Sequence, residues 1–330
     1  MLESLRKALA CLVICAFTGA LAQELNYYRG EIGGEPWQLE LGIADGAVRG
    51  RLTHDRQPVQ IEMGGTYSEA DNSIVMRFFE PGDEFSGTMV GEPDPLGVFK
   101  GNVLSTGGLT PFSFEQVARY VDFSFKQGAI QATSTYPFFT ASRLANMNEY
   151  VQPDLMAEQL EFVQMAQEAD LDDLVRHGWW FDSHARVEYA APGLLSSLVT
   201  VSYYTGGAHP NTHYWAYNLA YSGTRLRPFE LGDLFTEGSD FLDLLNASIL
   251  DSLLEQNADW VVNGSVAELS EAELQVFTLS PLGLQFVFAP YAVGPYSSGT
   301  YTALVPMSEL EELLDPTGPA ATLLPETAGD

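Results

Sequence analysis

Cysteine is the first thing this chain lacks. Its only two, Cys11 and Cys15, sit near the start of the 330 residues. A chain cleaved beyond them forms no internal disulfide, so its stability must come from packing. Basic residues are also scarce: 15 Lys+Arg stand against 44 Asp+Glu, a formal net charge of −29. Such a surface repels nucleic acid and anionic lipid, which need positive charge opposite their phosphates. It favours solubility and attracts basic partners. No apolar run approaches the ~20 residues of a membrane span. Recognised catalytic signatures are missing too: no Gly-x-Ser-x-Gly elbow, no His-Glu-x-x-His and no Gly-Lys phosphate loop. A triad assembled from distant positions stays open, because triads follow geometry rather than order. The run Glu168, Asp170, Asp172, Asp173 lacks the glycine and spacing of a calcium loop and reads as a solvated helix end.

Hydrophobic residues make up 46% and charged residues 18%, enough apolar surface to bury ordinary cores. At ~100–200 residues per domain, the length suggests two or three domains. The N-terminus carries Arg6 and Lys7, then an apolar run from Ala8 to Thr18, then Ala20-Leu21-Ala22. That order is a signal peptide with a small-x-small cleavage site, which makes Gln23 the first residue of the exported protein. Neither cysteine suits lipidation: Cys15 follows the bulky Ile14, and Cys11 has almost no apolar run ahead of it.

Residues 23–104 are expected to form an all-β domain. Short segments such as PWQLELGIA, AVRGRLTH, SIVMRFFE and GVFKGNVL are rich in β-branched and aromatic residues, with turn residues roughly every ten positions. Glycine recurs late in several of them (Gly30, Gly50, Gly87, Gly101), as bulges or strong sheet coiling would require. Residues 105–117 (STGGLTPFSFEQV) read as a linker. A strand from Gly128 to Pro137 follows, then helix over 142–177, with Leu160, Val163, Met165, Ala166 and Ala169 on one face. Strands return at 179–189, 194–204 and 213–221. The clearest amphipathic helix begins with Ser239 as N-cap and buries Phe241, Leu244, Leu245, Ile249 and Leu253. Residues 316–330 read as a disordered tail. The expected fold class is α+β: an antiparallel β meander, then an antiparallel sheet covered by helices.

Several segments in order carry a family resemblance. They are Tyr204-Thr-Gly-Gly-Ala-His-Pro-Asn, Phe229-Glu-Leu-Gly-Asp-Leu-Phe, Leu284-Gln-Phe-Val-Phe-Ala-Pro-Tyr-Ala-Val-Gly-Pro-Tyr, and Leu304-Val-Pro-Met-Ser-Glu-Leu. Over residues 118–315 the chain resembles the extracellular domain pair of unknown function shared by RsiV-type anti-sigma factors and the non-catalytic part of PdaC-type deacetylases. The resemblance implies an α+β fold outside the membrane and, from the RsiV type, a basic partner such as lysozyme. The chain departs from that type in showing no transmembrane helix and no sigma-binding segment. No lysozyme-contact residue carries over.

Four residues are candidates for ligand binding. The turn Gly206-Gly207-Ala208-His209 permits close backbone approach and presents His209 at its tip, with Asn211 beside it. Tyr291 and Tyr296, among Pro290, Gly294 and Pro295, are the aromatic and small residues of a recognition surface or of a packed corner. His209 and His213 are four apart, but Pro210 and Asn211 indicate a turn rather than a metal-binding helix, and no metal or cofactor is expected. These readings converge on an exported, non-catalytic binding protein of the envelope, periplasmic or extracellular, whose ligand is a basic protein or a cell-wall glycan. An accessory or catalytic cell-wall hydrolase or deacetylase is the alternative, and a structural envelope role the third. Mass spectrometry of the natively expressed protein checks the export reading. The expected mature chain starts at Gln23 and carries no lipid; a diacylated Cys15 or an intact N-terminus contradicts it.

Overall fold

The computed structural model describes residues 24–78, 87–169, 176–222 and 225–324. The expected signal peptide, residues 1–22, lies outside them. Two units are distinguished: one built from residues up to Thr53 plus Gln60–Gln116, the other from His54–Val59 plus Val117 onward.

The first unit is a meander closed on itself. Strands β1 (Glu24–Ile32), β2 (Glu35–Ala44), β3 (Ala47–His54), β4 (Gln60–Ser68), β5 (Ser73–Phe78), β6 (Gly87–Pro93), β7 (Val98–Ser105) and β8 (Gly108–Gln127) pair in order, and β1 pairs back to β8. The result is an up-and-down barrel with no free edge. Alternation along each strand sends Leu39, Leu41, Ile74, Met76, Met89, Phe99 and Phe114 inward, where each is almost fully buried. Phe99 packs on Phe112 with centroids 4.9 Å apart. A buried side chain of this kind contributes roughly 1.5–3 kcal/mol.

Residues 108–117, expected as part of a linker, are instead the first half of β8. Thr106 and Gly107 alone make the turn between β7 and β8. Pro111 is tolerated within the strand because its carbonyl is what the neighbour uses, accepting from Gly33 N at 2.9 Å. Polar and turn-forming residues there resemble a loop only until two partner strands are in place.

The recurring glycines have a steric cause. A Cβ on Gly30 would lie 2.0 Å from Ser113 O, and one on Gly101 the same distance from Val90 O. Strongly coiled neighbouring strands leave no room there. Gly50 and Gly87 meet side chains instead. Gly65, not singled out by the pattern, is the tightest, with Val75 O at 1.8 Å.

In the second unit, the remainder of β8 begins a sheet of order β8–β9–β10–β11–β12–β13. Its further strands are β9 (Ile130–Phe139), β10 (Trp179–Ala191), β11 (Leu194–Tyr204), β12 (Asn211–Ser222) and β13 (Arg225–Pro228). All neighbours are antiparallel except β9 and β10, which run parallel. The antiparallel sheet expected from the hairpin-length connections is therefore mixed. The reason is the long connection between β9 and β10, which holds helix α1 (Asn148–Glu168) and returns the chain to the same end. The helix is shorter than expected, preceded by a 3-10 turn at Ala145–Met147. It buries Val151, Leu155, Gln159, Phe162, Val163 and Ala166, while Leu160 and Met165 are exposed rather than packed. Phe162 meets Phe181 of β10 at 5.4 Å. Asn148 accepts from Phe139 N and donates to Phe139 O, so one side chain ties the end of β9 to the start of α1.

A second layer holds β14 (Phe277–Ser280), β15 (Gly283–Phe288) and β16 (Tyr301–Pro306). Helix α2 (Phe241–Glu255) joins them in one apolar core through Leu245, Ile249 and Leu253. Asp240, not Ser239, is its N-cap, and no side chain caps it. The tail expected to be disordered is ordered through Leu324, because Ala320 and Leu323 enter that same core; residues 325–330 lie outside the described ones. The class is α+β, as expected. No helix among the described residues is long and apolar enough to cross a membrane.

Two adjacent glycines provide an internal comparison. Gly65→Ala should destabilise the barrel by about 1–3 kcal/mol, the usual cost of overpacking. A Cβ on Gly64 meets nothing within 4 Å, so Gly64→Ala should be neutral or slightly stabilising. Thermal unfolding of the two variants checks this, and equal midpoints would show that the close approach at Gly65 is unimportant.

Candidate functional site

The candidate residues come from two loops on different layers of the second unit. One is the turn between β11 and β12. Gly206 and Gly207 both have positive φ, 88° and 102°, and turn the chain before Pro210. Tyr204, at the end of β11, donates to Gly207 O at 3.0 Å and holds the turn from beneath. The other is the loop between β15 and β16. There Ala292 N donates to Ala289 O at 3.0 Å, closing a turn around Pro290 and Tyr291. Ser298 donates to Asp259 Oδ2 at 2.7 Å, and Thr300 pairs with the Tyr214 hydroxyl of β12 at 2.8 Å.

The two loops meet through rings. The His209 imidazole stacks on Tyr296 with centroids 3.6 Å apart and planes 18° from parallel. Tyr291 tilts against the same ring at 5.8 Å. The Tyr296 hydroxyl donates to Pro210 O at 2.7 Å. His209 Nδ1 lies 2.8 Å from the same carbonyl, which can only accept. Thus His209 and, from a distant part of the chain, Tyr291 and Tyr296 form one aromatic shelf. Asn211 is exposed and outside the stack. Strand alternation turns it to the side of His213, which faces α1.

His213 is separately engaged. Its Nε2 lies 2.8 Å from Glu158 Oε1 of α1, and its ring meets Tyr203 edge-on. The two histidines therefore serve different contacts. Near them Tyr217 donates to Val151 O and Asp154 Oδ2, both at 3.2 Å. Burial, reinforced by the Asp154 carboxylate, pushes the Tyr217 pKa up, so it remains a neutral donor anchoring α1 to β12. Among the described residues no three His, Cys, Asp or Glu side chains gather as a metal site would require.

Tyr291 departs from ordinary backbone rules. Its φ is +72° and its surface is 57% exposed. It sits at the third position of a turn whose second residue is proline, a place that favours glycine. A bulky residue in this region costs roughly 1–2 kcal/mol.

What sequence reasoning missed is the clamp that sets the two loops against each other. Ser196 of β11 donates to Asn218 Oδ1 at 2.7 Å, and Asn218 donates to Phe277 O of β14 at 2.9 Å. Leu279 N in turn donates to Ser196 Oγ at 2.8 Å. Two buried side chains thereby satisfy backbone groups on the edge of β14. The available signal was polar residues inside apolar strands: Ser196 in LLSSLVTV and Asn218 in YNLAY.

Both loops fall within stretches of the chain that match described family models. Residues 124–212 match the family model described as Deacetylase PdaC. Residues 232–308 match that described as Protein of unknown function (DUF3298). The first match ends just past the His209 turn, and the second contains the Tyr291–Tyr296 loop. Neither includes the barrel. The chain is also similar to two solved structures. A DUF3298 family protein from Pseudomonas aeruginosa PAO1 shares 14% identity, with 71% of this chain and 98% of that chain covered and a TM-score of 0.42. A member of the DUF3298 family from Bacteroides fragilis NCTC 9343 shares 17%, with 62% and 94% covered and a TM-score of 0.37. No curated protein matches the chain.

The clamp predicts a mutational asymmetry. Asn218→Ala leaves Phe277 O without its partner and should cost about 1–3 kcal/mol, the desolvation penalty of an orphaned buried group. Asn211→Ala, on an exposed side chain, should stay within about 0.5 kcal/mol of the parent. Denaturant unfolding followed by near-UV circular dichroism measures both.

Proposed function

We propose that this is an exported, non-catalytic binding protein of the cell envelope. On this reading the second unit docks a cell-wall glycan on the shelf of His209, Tyr296 and Tyr291. The observation that carries it is Tyr291, an exposed ring held at φ +72° beside two other rings. A sugar presents an apolar ring face edged with hydroxyls. Aromatic faces flanked by hydrogen-bonding groups meet both requirements. The PdaC match supports placing the unit beside cell-wall chemistry as an accessory, with deacetylase-type activity as the competing assignment.

A second reading rests on charge. The net charge of −29 suits a basic protein partner, and the RsiV-type resemblance suggests a lysozyme-like one. Such attraction is partly screened beyond ~8 Å at physiological ionic strength, so only association that survives there is specific.

Co-sedimentation with purified peptidoglycan at physiological salt separates the two. The parent should pellet with the glycan. Tyr291→Gly should keep or raise the unfolding midpoint, since glycine accepts that φ, yet lose at least fivefold in binding; Tyr296→Ala should also lose binding. Undiminished pelleting by folded Tyr291→Gly would sink the glycan reading. Calorimetry against lysozyme and an equally basic unrelated protein is the other arm. Lysozyme binding with defined stoichiometry, absent for the control, would favour the protein partner.

A further inference from the structure

The barrel of the first unit carries a cavity of about 710 Å³ at one end. Its place follows from the topology: the β2–β3, β4–β5 and β6–β7 turns all rise around it. Eight strands leave an interior that side chains can fill or that can hold one small ligand. Here the far part is filled by Met76, Met89 and Phe99, while this end stays open.

The lining has two chemical characters. The inner wall is apolar and aromatic, with Tyr28, Leu41 and Ile74 buried and Tyr67 half-buried above them. The rim carries the carboxylates of Asp45, Glu69 and Asp94, and among the described residues no lysine, arginine or histidine lines the cavity. Asp94 is committed to its own turn, accepting from Leu96 N and Val98 N at 2.8 Å. Asp45 and Glu69 are exposed, and among the described residues neither is paired with a basic group. Tyr67 N donates to Gly46 O at 2.8 Å, which sets the Asp45 turn beside Tyr67.

The rim is also braced. Tyr67 donates to Asn72 Oδ1 at 3.0 Å, and Asn72 donates to Pro93 O at 2.7 Å. This chain spans from the β4–β5 hairpin to the end of β6. Asn72 reaches both partners from a left-handed backbone, φ +53°, which asparagine tolerates better than most residues. The mouth is thus braced, partly apolar and rimmed by carboxylates.

We infer that the open end of the barrel is a second binding site, for a small amphiphilic cation. The hydrocarbon part lies against Tyr28, Leu41 and Ile74. The ammonium group sits at the rim by Asp45 and Glu69, against the Tyr67 ring. The site is independent of the aromatic shelf in the second unit, so either assignment stands or fails without the other.

Calorimetry of the full chain with hexyltrimethylammonium at physiological salt tests this, with hexanol, hexanoate and tetramethylammonium as comparisons. Saturable one-to-one binding of the amphiphilic cation is expected, at least tenfold tighter than any comparison compound. The double variant Asp45→Asn, Glu69→Gln should weaken it at least fivefold with the unfolding midpoint unchanged. Asparagine accepts the φ of +50° at position 45. If that pair nonetheless lowers the midpoint, Glu69→Gln alone, at an exposed position, should still weaken binding at least twofold. Hexanol binding as tightly as the cation would make the cavity merely apolar; tetramethylammonium doing so would reduce the rim to surface charge. Either result, no binding at all, or full affinity in a folded variant overturns the assignment.

Discussion

The hydrogen bonds from Ser196 and Asn218 to the edge of β14 constrain everything built on the second unit. An edge strand normally exposes its unpaired backbone groups to water or pairs them with another strand. Here β14 does neither. Asn218 supplies a donor for Phe277 O, and Ser196 accepts from Leu279 N while donating to Asn218. Because each member is satisfied, the network stabilises one alignment of the two sheets and penalises others with orphaned polar groups. The apolar core around Phe277, Leu279 and Phe286 drives the layers together without specifying their register. The polar clamp supplies that direction, and the loops at the far ends of β11 and β15 inherit it.

The aromatic shelf is the consequence. His209 and Tyr296 sit on connections of different sheets, and a displacement of either layer by one residue would separate rings now 3.6 Å apart. Three further bonds refine the approach: Tyr296 to Pro210 O, Tyr214 to Thr300, and Ser298 to Asp259. Against this ordered background, the positive φ of Tyr291 stands out. Local preference and global fold agree through most of the chain, and places where they conflict in native proteins tend to be functional. The conflict at Tyr291 lies on the shelf itself.

In the barrel, the governing constraint is steric. Coiled strands approach so closely that Gly30, Gly65 and Gly101 have no space for a methyl group. Closure requires this coiling, since the meander must bring β8 back to β1. The same closure directs alternate side chains inward and leaves a mouth where three turns converge. Its rim shares the acidic bias of the whole chain, but its walls do not: Tyr28, Leu41 and Ile74 form an apolar floor beneath carboxylates.

By itself, the sequence determined the strand-rich first part, the later mixture of helices and strands, the acidic surface and the main buried stripe of α2. These are local properties: a strand reports its alternation and a helix its 3.6-residue period without reference to partners. It also indicated Gly30, Gly101, the His209 turn and the two tyrosines as unusual. What only tertiary structure decided was every matter of pairing. Residues 108–117 read as a linker until β1 and β7 give their backbone groups partners. The β9–β10 pair runs parallel because α1 crosses between them, which hairpin-length spacings elsewhere concealed. Leu160 and Met165 share the apolar pattern of Val163 and Ala166 yet stay exposed, because burial is set by which side of α1 the sheet occupies. His213 lies close to His209 in sequence, but it sits on β12 beyond the Pro210 turn and faces α1 instead of the shelf. Ala320 and Leu323 read as tail until the core of the second unit received them. In each case the deciding contact joins residues distant along the chain, and such contacts leave no local period to read.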